Sequence, residues 1–453
     1  MKFNSMNENY LAKICLASVC TLLAIWVLPN TIVIRHVLLG IGFISGACLI
    51  QKNWASFNKF KTTLIPLYAI LALFLWVAIH YVFFSLNPTL ELSEIRGLWM
   101  RTLAGTITAI GLGIALSKNS NLRKYFYISL FFVPFINLSA YLYLCLQKGA
   151  ILPFGSSLFF VYAKIETAYF GAMAAAMAVA NIIFLLGSNK EGRSPWTIVL
   201  FFLGILLILA SALVSSTKNG IAITLGLCVF LFLMILINVV LNSVGSRVFG
   251  LGLAACILAV AAIMWQGKIS LGGQGWSTVL QDAKVGIDID SNKQWQKFEG
   301  SVGFPLNSLG VPAVSNTYTR FAYAAVGARL ISKYPLGYGS INKSFNGLQS
   351  VAEIPHEHQG QVHSGWVDFG LAFGVPGLLL LLSSMIAIIY LGVRGRRELG
   401  VIAAILSLTL MGFCLIAEMS YKQYFESWIF MMTFCATVVA LPGKPKMKLS
   451  AVR

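Results

Sequence analysis

Long apolar runs, almost free of charge, recur along the whole chain and limit what it can fold into more than any other feature. Crossing a hydrocarbon core as a helix takes about 20 apolar residues, because every backbone polar group has to be satisfied within the segment. About twelve runs qualify: residues 12–28, 31–50, 64–86, 98–116, 125–146, 166–187, 197–213, 220–241, 248–265, 367–391, 400–417 and 425–441. They account for a 453-residue composition that is 58% hydrophobic and only 11% charged, whereas soluble domains carry about 25% charged residues. The fold class that follows is an all-α polytopic membrane protein. The first run is preceded by the polar Asn4, Asn7, Glu8 and Asn9 and followed almost at once by the second, so it reads as a retained span and not as a cleaved signal.

Basic residues set the orientation. With the N-terminus in the cytoplasm, the inner loops hold Lys52, Lys59, Lys61, Lys118, Arg123, Lys124, Lys190, Arg193, Arg247, Arg394, Arg396 and Arg397. The short outer loops then hold only Arg96, Arg101, Lys148, Lys164, Lys218 and Lys422. The positive-inside rule places both termini in the cytoplasm. The expected organisation is nine spans in residues 1–265, one large outer loop in 266–365, and three spans with a cytoplasmic tail in 366–453. The net charge of +18 is thus a topology signal and needs no nucleic acid to explain it. All eight cysteines lie in or at the ends of apolar runs, so no disulfide framework is implied. No phosphate-cradling glycine loop occurs in the inner loops, which argues against an ATP-driven pump.

The outer loop has two characters. Its first part, through Phe304, is glycine-rich and polar and is expected to be irregular. The stretch SNTYTRFAYAAVGARLISKYPLGYGS that follows predicts a helix: Ser315, Asn316, Thr317 and Thr319 offer caps, and Pro335, Gly337 and Gly339 end it. Phe321, Ala324, Ala325, Ala328 and Ile331 would form its apolar face. Arg320 and Arg329 are nine positions apart, and at about 100° per residue they point in opposite directions. Both therefore cannot grip one anion.

Three of the five histidines, His356, His358 and His363, fall within eight positions, just before an apolar run. Zinc binding is disfavoured there, because no cysteine or second ligand cluster is near. An arginine followed fifteen residues later by PLGYG (Arg320 to Pro335), and then HSGWVDFGLAFGVPG, resembles the O-antigen ligase and polymerase superfamily. The histidine stretch fits the ligase pattern of His, then Asn, Ser or Gln, nine residues, Gly, two residues, and Gly, Thr or Tyr, at His363, Ser364, Gly374 and Gly377. The span arrangement, with one large loop before the third-last span, is also similar to that family.

The resemblance implies a reaction. A glycan carried on undecaprenyl pyrophosphate passes to a sugar hydroxyl of lipid A–core at the periplasmic face of the bacterial inner membrane, in lipopolysaccharide biosynthesis. No nucleotide sugar, cofactor or metal is required, and the anomeric centre is inverted. A sugar hydroxyl is a poor nucleophile, so a base such as neutral imidazole helps it, and cations stabilise the departing pyrophosphate. His363 is the candidate base or acceptor-orienting group, and Arg320 the candidate pyrophosphate ligand. Relatives carry a Ser-Arg-Gly-like stretch where this chain has Lys218, a point charge without the bidentate fork.

Lys218 also reads as a snorkelling interfacial lysine. His356 and His358 are loop or acceptor-contact residues, and Arg329 is a second phosphate contact or the polar side of its helix. Arg96 and Arg101 could line a pocket for an anionic lipid, or snorkel, and Arg35 and His80 carry the same two readings. The stretch DIDSN imitates a calcium loop with Glu299 at its twelfth position, but Lys293 stands where a glycine belongs. Gly370, Gly374 and Gly377 would line one helix face and admit a neighbour. The competing reactions are O-antigen polymerisation and protein O-oligosaccharyl transfer from the same donor. The competing class is a lipid-linked glycan transporter, which would carry charges within its spans.

Overall fold

The computed structural model describes residues 7–58, 61–155, 164–187, 195–242, 252, 278–297, 301–357, 361–395, 397–420 and 422–441. Numbered in chain order, its helices are α1 (Glu8–Ile25), α2 (Ile32–Asn58), α3 (Ile65–Phe83), α4 (Pro88–Glu94), α5 (Met100–Lys118), α6 (Arg123–Leu130), α7 (Phe132–Lys148) and α8 (Lys164–Gly187). They continue as α9 (Pro195–Val214), α10 (Lys218–Asn242), α11 (Val279–Ile287), α12 (Ser315–Lys333), α13 (Ser344–Val351), α14 (Gly365–Gly395), α15 (Glu398–Ile416) and α16 (Lys422–Ala440). No β-strand occurs among the described residues. The protein is a polytopic helical membrane protein.

Ten helical segments of the described residues are long and apolar enough to span a bilayer. They coincide with the first eight expected runs and with the tenth and eleventh. The twelfth run lies in α16, which is not one of those ten, and the ninth, 248–265, lies outside the described residues except for Gly252.

Helix α16 runs through the centre of the bundle, with Phe425, Trp428, Ile429, Phe430, Met431 and Met432 all buried. A helix apolar on every side belongs in such a place. Helices α1, α2 and α5 pack together on one side of it, and α14 and α15 on another. The group α8 to α10 joins the bundle through α15. Helices α2 and α5 cross closely at Gly46 and Gly111, where a Cβ on Gly111 would collide with the Cα of Gly46. Small residues permit such a crossing in a membrane, where there is little hydrophobic drive between helices.

A cap of short helices covers one end of the bundle, called here the loop end. Its core joins Tyr318, Tyr323, Val326 and Leu330 of α12 to Phe345 and Leu348 of α13 and Leu371 of α14. Three expectations are corrected here. The first part of the loop is not wholly irregular, because α11 and a short 3-10 turn at Lys293–Gln296 form within it. Of the expected apolar face of α12, Ala324, Ala325 and Ile331 pack half-buried against the cap core, but Phe321 and Ala328 are exposed and the fully buried side is Tyr318, Ala322, Val326 and Leu330. The tyrosines decide the face: Tyr318 buries its ring and satisfies its hydroxyl by donating to the Asn292 carbonyl at 3.0 Å. Finally, Val314 stands at the N-cap, so the polar residues from Ser315 onward lie inside the first turns.

The glycines of α14 act only in part as expected. The helix is broken at Gly374, whose φ of 65° and ψ of −167° are not helical. The segment Pro335–Gly339 lies along the break, with Tyr338 N–H donating to the Leu371 carbonyl (2.9 Å), Gly339 N–H to Ala372 (2.7 Å), and Val375 N–H to Pro335 (2.8 Å). The Phe373 carbonyl accepts from Trp76 Nε1 at 2.9 Å. Backbone groups freed within a span are thus satisfied inside the protein, as the low-dielectric setting requires. Gly370 and Gly374 both admit a close neighbour, since a Cβ on Gly370 would press on Ile331 of α12 and one on Gly374 on the Pro335–Leu336 backbone, whereas Gly377 lies nearest Phe373 and Phe369 of its own helix. The PLGYG stretch is a wedge in a broken helix, braced further by Glu94, which accepts from Ser340 Oγ (2.6 Å) and Ile341 N–H (2.8 Å).

Candidate functional site

The chain enters α14 through a tight bend in which His363 adopts φ +56°, a left-handed conformation rare for any residue but glycine. The bend is pinned to the end of α15. Gly365 N–H donates to the Ala417 carbonyl at 2.7 Å, Ser364 Oγ to Cys414 at 3.3 Å, and Trp366 Nε1 to Met411 at 3.1 Å. In return Asp368, buried in the first turn of α14, accepts the Met419 N–H at 3.0 Å. Gly365 is required there, because a Cβ would press on the Met419 side chain. These contacts fix the segment 417–420 against the histidine bend.

Glu418 sits in that segment, and its Oε2 lies 3.0 Å from His363 Nδ1. The glutamate side chain is 11% exposed and the histidine 34%, so one partner is sheltered and the other faces a space. Burial pushes the Glu418 carboxyl up, but the hydrogen bond and charge of His363, helped by the charge of Arg320, outweigh it and hold the carboxyl below its ordinary range. An ionised carboxylate only accepts, so Nδ1 must carry a proton toward Glu418, and in the neutral form of the ring the lone pair is then on Nε2. Such a pair has the form of an imidazole oriented by a carboxylate, an arrangement able to accept a proton at Nε2.

Arg320, on α12, donates from Nη1 to the carbonyl of Ile416, the last residue of α15, at 2.9 Å. Asn219 donates to the same carbonyl at 3.1 Å. A single helix-end oxygen thus draws in the neighbour of Lys218, which opens α10 and is exposed. Three elements distant in sequence meet at residues 416–418, bringing Arg320 and the start of α10 to the His363–Glu418 pair. One cation, Arg320, and the N-terminus of α10, which carries Lys218, come to the end of α15 beside the histidine pair, a setting that suits an anionic group.

The remaining candidates lie apart from this arrangement. Arg329 makes two 2.7 Å hydrogen bonds to Asp290, both side chains being exposed. That guanidinium holds the Asp290 carboxyl below its usual range. The pairing also occupies the middle of the DIDSN stretch; Glu299 lies outside the described residues. His356 Nδ1 lies 2.9 Å from the carbonyl of Ile354, and His358 lies outside the described residues. His80 is fully buried with Nδ1 2.9 Å from Glu91 Oε1, beneath the PLGYG wedge.

Glu418 and Asn219 were not singled out by the sequence. A signal existed for the first: Glu418 is the sole acidic residue between Leu399 and Phe425, where the chain turns between two apolar runs. The sequence matches no known protein family and no curated protein. The resemblance noted above therefore rests on the motif residues and the span arrangement alone.

Proposed function

We propose that the protein is an O-antigen ligase-type glycosyltransferase, moving a glycan from undecaprenyl pyrophosphate to a sugar hydroxyl of lipid A–core. The observation that carries this reading is the His363–Glu418 pair, with Nε2 left for a substrate, beside Arg320. His363 Nε2 takes the acceptor hydroxyl proton as the acceptor oxygen bonds to the anomeric carbon. The bond from that carbon to the pyrophosphate oxygen breaks, and the electron pair leaves with the lipid pyrophosphate. Arg320 and Lys218 neutralise its growing charge. Glu418 remains ionised and stabilises the imidazolium, which passes its proton to solvent after transfer.

Displacement from the face opposite the leaving group inverts the anomeric centre. No step draws on a nucleotide, a cofactor or a metal. In this reading the loop end faces the periplasm, both termini are cytoplasmic, and the bilayer is the bacterial inner membrane. The donor's polyprenyl tail stays in lipid while its phosphates reach the bundle edge, which explains a base placed at the mouth of a span.

The test is reconstitution of purified protein with undecaprenyl-pyrophosphate glycan and lipid A–core, with EDTA and without nucleotide. Glycosylated lipid A–core is the expected product. Longer carrier-linked glycans would make the protein a polymerase, and a folded protein giving no transfer would overturn the proposal.

A further inference from the structure

A second cationic site lies at the loop end, on the side of the bundle formed by α1, α2, α5 and α16. A cavity of about 190 Å³ opens there, with Arg35, His36, Arg101, Gln423 and Glu426 on its polar side and Trp26 among its apolar lining. At ~30 Å³ per water it is far larger than a single hydration site. None of His363, Glu418, Arg320 or Lys218 lines it.

The charges in the cavity do not cancel. Arg101 Nε donates to Glu426 Oε1 at 2.7 Å and is thereby matched. Arg35 has no carboxylate: its Nη1 donates to the Trp26 carbonyl at 2.8 Å, and its Nε is buried without a hydrogen-bond partner. A desolvated guanidinium donor left unmade is costly, so a ligand acceptor is the natural completion. Arg35 also lies in the first turn of α2, where the free backbone N–H groups favour an anion and disfavour a lone cation. Among the described lining residues, two guanidiniums stand against one carboxylate and leave a single positive charge to be met.

The cavity is continuous with the lipid-facing surface of α2. Ile32 lines it, and Val33, Val37, Ile41 and Ile44 are exposed down the same helix. Apolar surface of that kind, beginning beside a half-buried cation, suits a molecule with a charged head and a hydrocarbon tail.

We propose that this cavity binds the phosphodiester headgroup of a membrane lipid, whose one negative charge matches the residual charge and whose acyl chains run along α2. Arg35 and Arg101 would contact the phosphate oxygens, with His36 and Gln423 as further hydrogen-bonding groups. The proposal is independent of the transfer chemistry.

Native mass spectrometry of the full-length protein in detergent tests it, with thermal unfolding as a parallel readout. The probes are phosphatidylglycerol, a diacylglycerol of the same chains, and inorganic phosphate. Phosphatidylglycerol should be retained as one tight copy and should raise the unfolding midpoint, while the other two should do neither. Arg35→Gln should weaken retention at least tenfold, His36→Ala should weaken it less, and the exposed Arg96→Gln, outside the cavity, should have no effect. Equal binding of diacylglycerol would overturn phosphate recognition, and equal binding of inorganic phosphate would overturn the lipid assignment. Undiminished retention by folded Arg35→Gln and His36→Ala would overturn the site.

Discussion

His363 and Glu418, 55 residues apart in the chain, meet at 3.0 Å because the bend before α14 and the turn after α15 are laced together by hydrogen bonds from Gly365, Ser364 and the Met419 backbone. The carboxylate is sheltered and the imidazole is open, the order in which an orienting group and a base have to stand.

The pair predicts a pH signature in stability. The folded-state value of Glu418 lies below its ordinary 4.5, so the unfolded chain binds the proton more readily. The stabilisation is fully present above pH 4.5 and is lost as pH falls through the depressed folded value. Unfolding midpoints of wild type and Glu418→Gln should therefore differ by a constant amount at neutral pH and converge on acidification below that point.

Arg320→Lys should retain a charge and lose the planar fork that reaches the Ile416 carbonyl while keeping donors for a ligand. Transfer should fall roughly 10²-fold, the scale of removing one donor to a developing anion. Arg320→Gln should fall further. Steady-state rates at saturating acceptor read this, and wild-type rates for Arg320→Lys would remove Arg320 from the site.

Arg329 is expected to be dispensable. Its partner Asp290 is exposed, as it is itself, and exposed pairs contribute little. Arg329→Gln should transfer within about twofold of wild type at equal protein level.

Gly374→Ala tests the broken helix. At φ 65° and ψ −167° the backbone region is accessible in practice to glycine alone, a cost of about 1–3 kcal/mol before any contact is counted. A Cβ there would also overlap the Pro335 carbonyl. The variant should show a lowered unfolding midpoint and poor accumulation, whereas Gly40→Ala, at an open position on α2, should be near wild type.

The spans were legible because length and apolarity alone fix them in a bilayer, and ten of the expected runs emerge as helices of the right kind. What hid was whatever tertiary hydrogen bonding decides. Gly374 reads as one more small residue on a helix face until Pro335–Gly339 is seen supplying the missing partners. The face of α12 was legible only in part, at Ala324, Ala325 and Ile331, because tyrosines count as half-polar in a periodicity argument yet bury once a carbonyl takes the hydroxyl. Arg320 and His363 could be picked from spacing. Their convergence on Ile416 and Glu418 could not, since no local pattern links turns a hundred residues apart.

The most direct measurement is a double-substitution cycle on transfer from lipid-linked pyrophosphate glycan to lipid A–core, using wild type, His363→Ala, Glu418→Gln and the combined variant, each shown to be folded. If Glu418 acts through the imidazole, Glu418→Gln alone loses about 10²–10⁴-fold, and adding it to His363→Ala costs nothing more. Losses that add, or a Glu418→Gln enzyme as fast as wild type, would contradict the account.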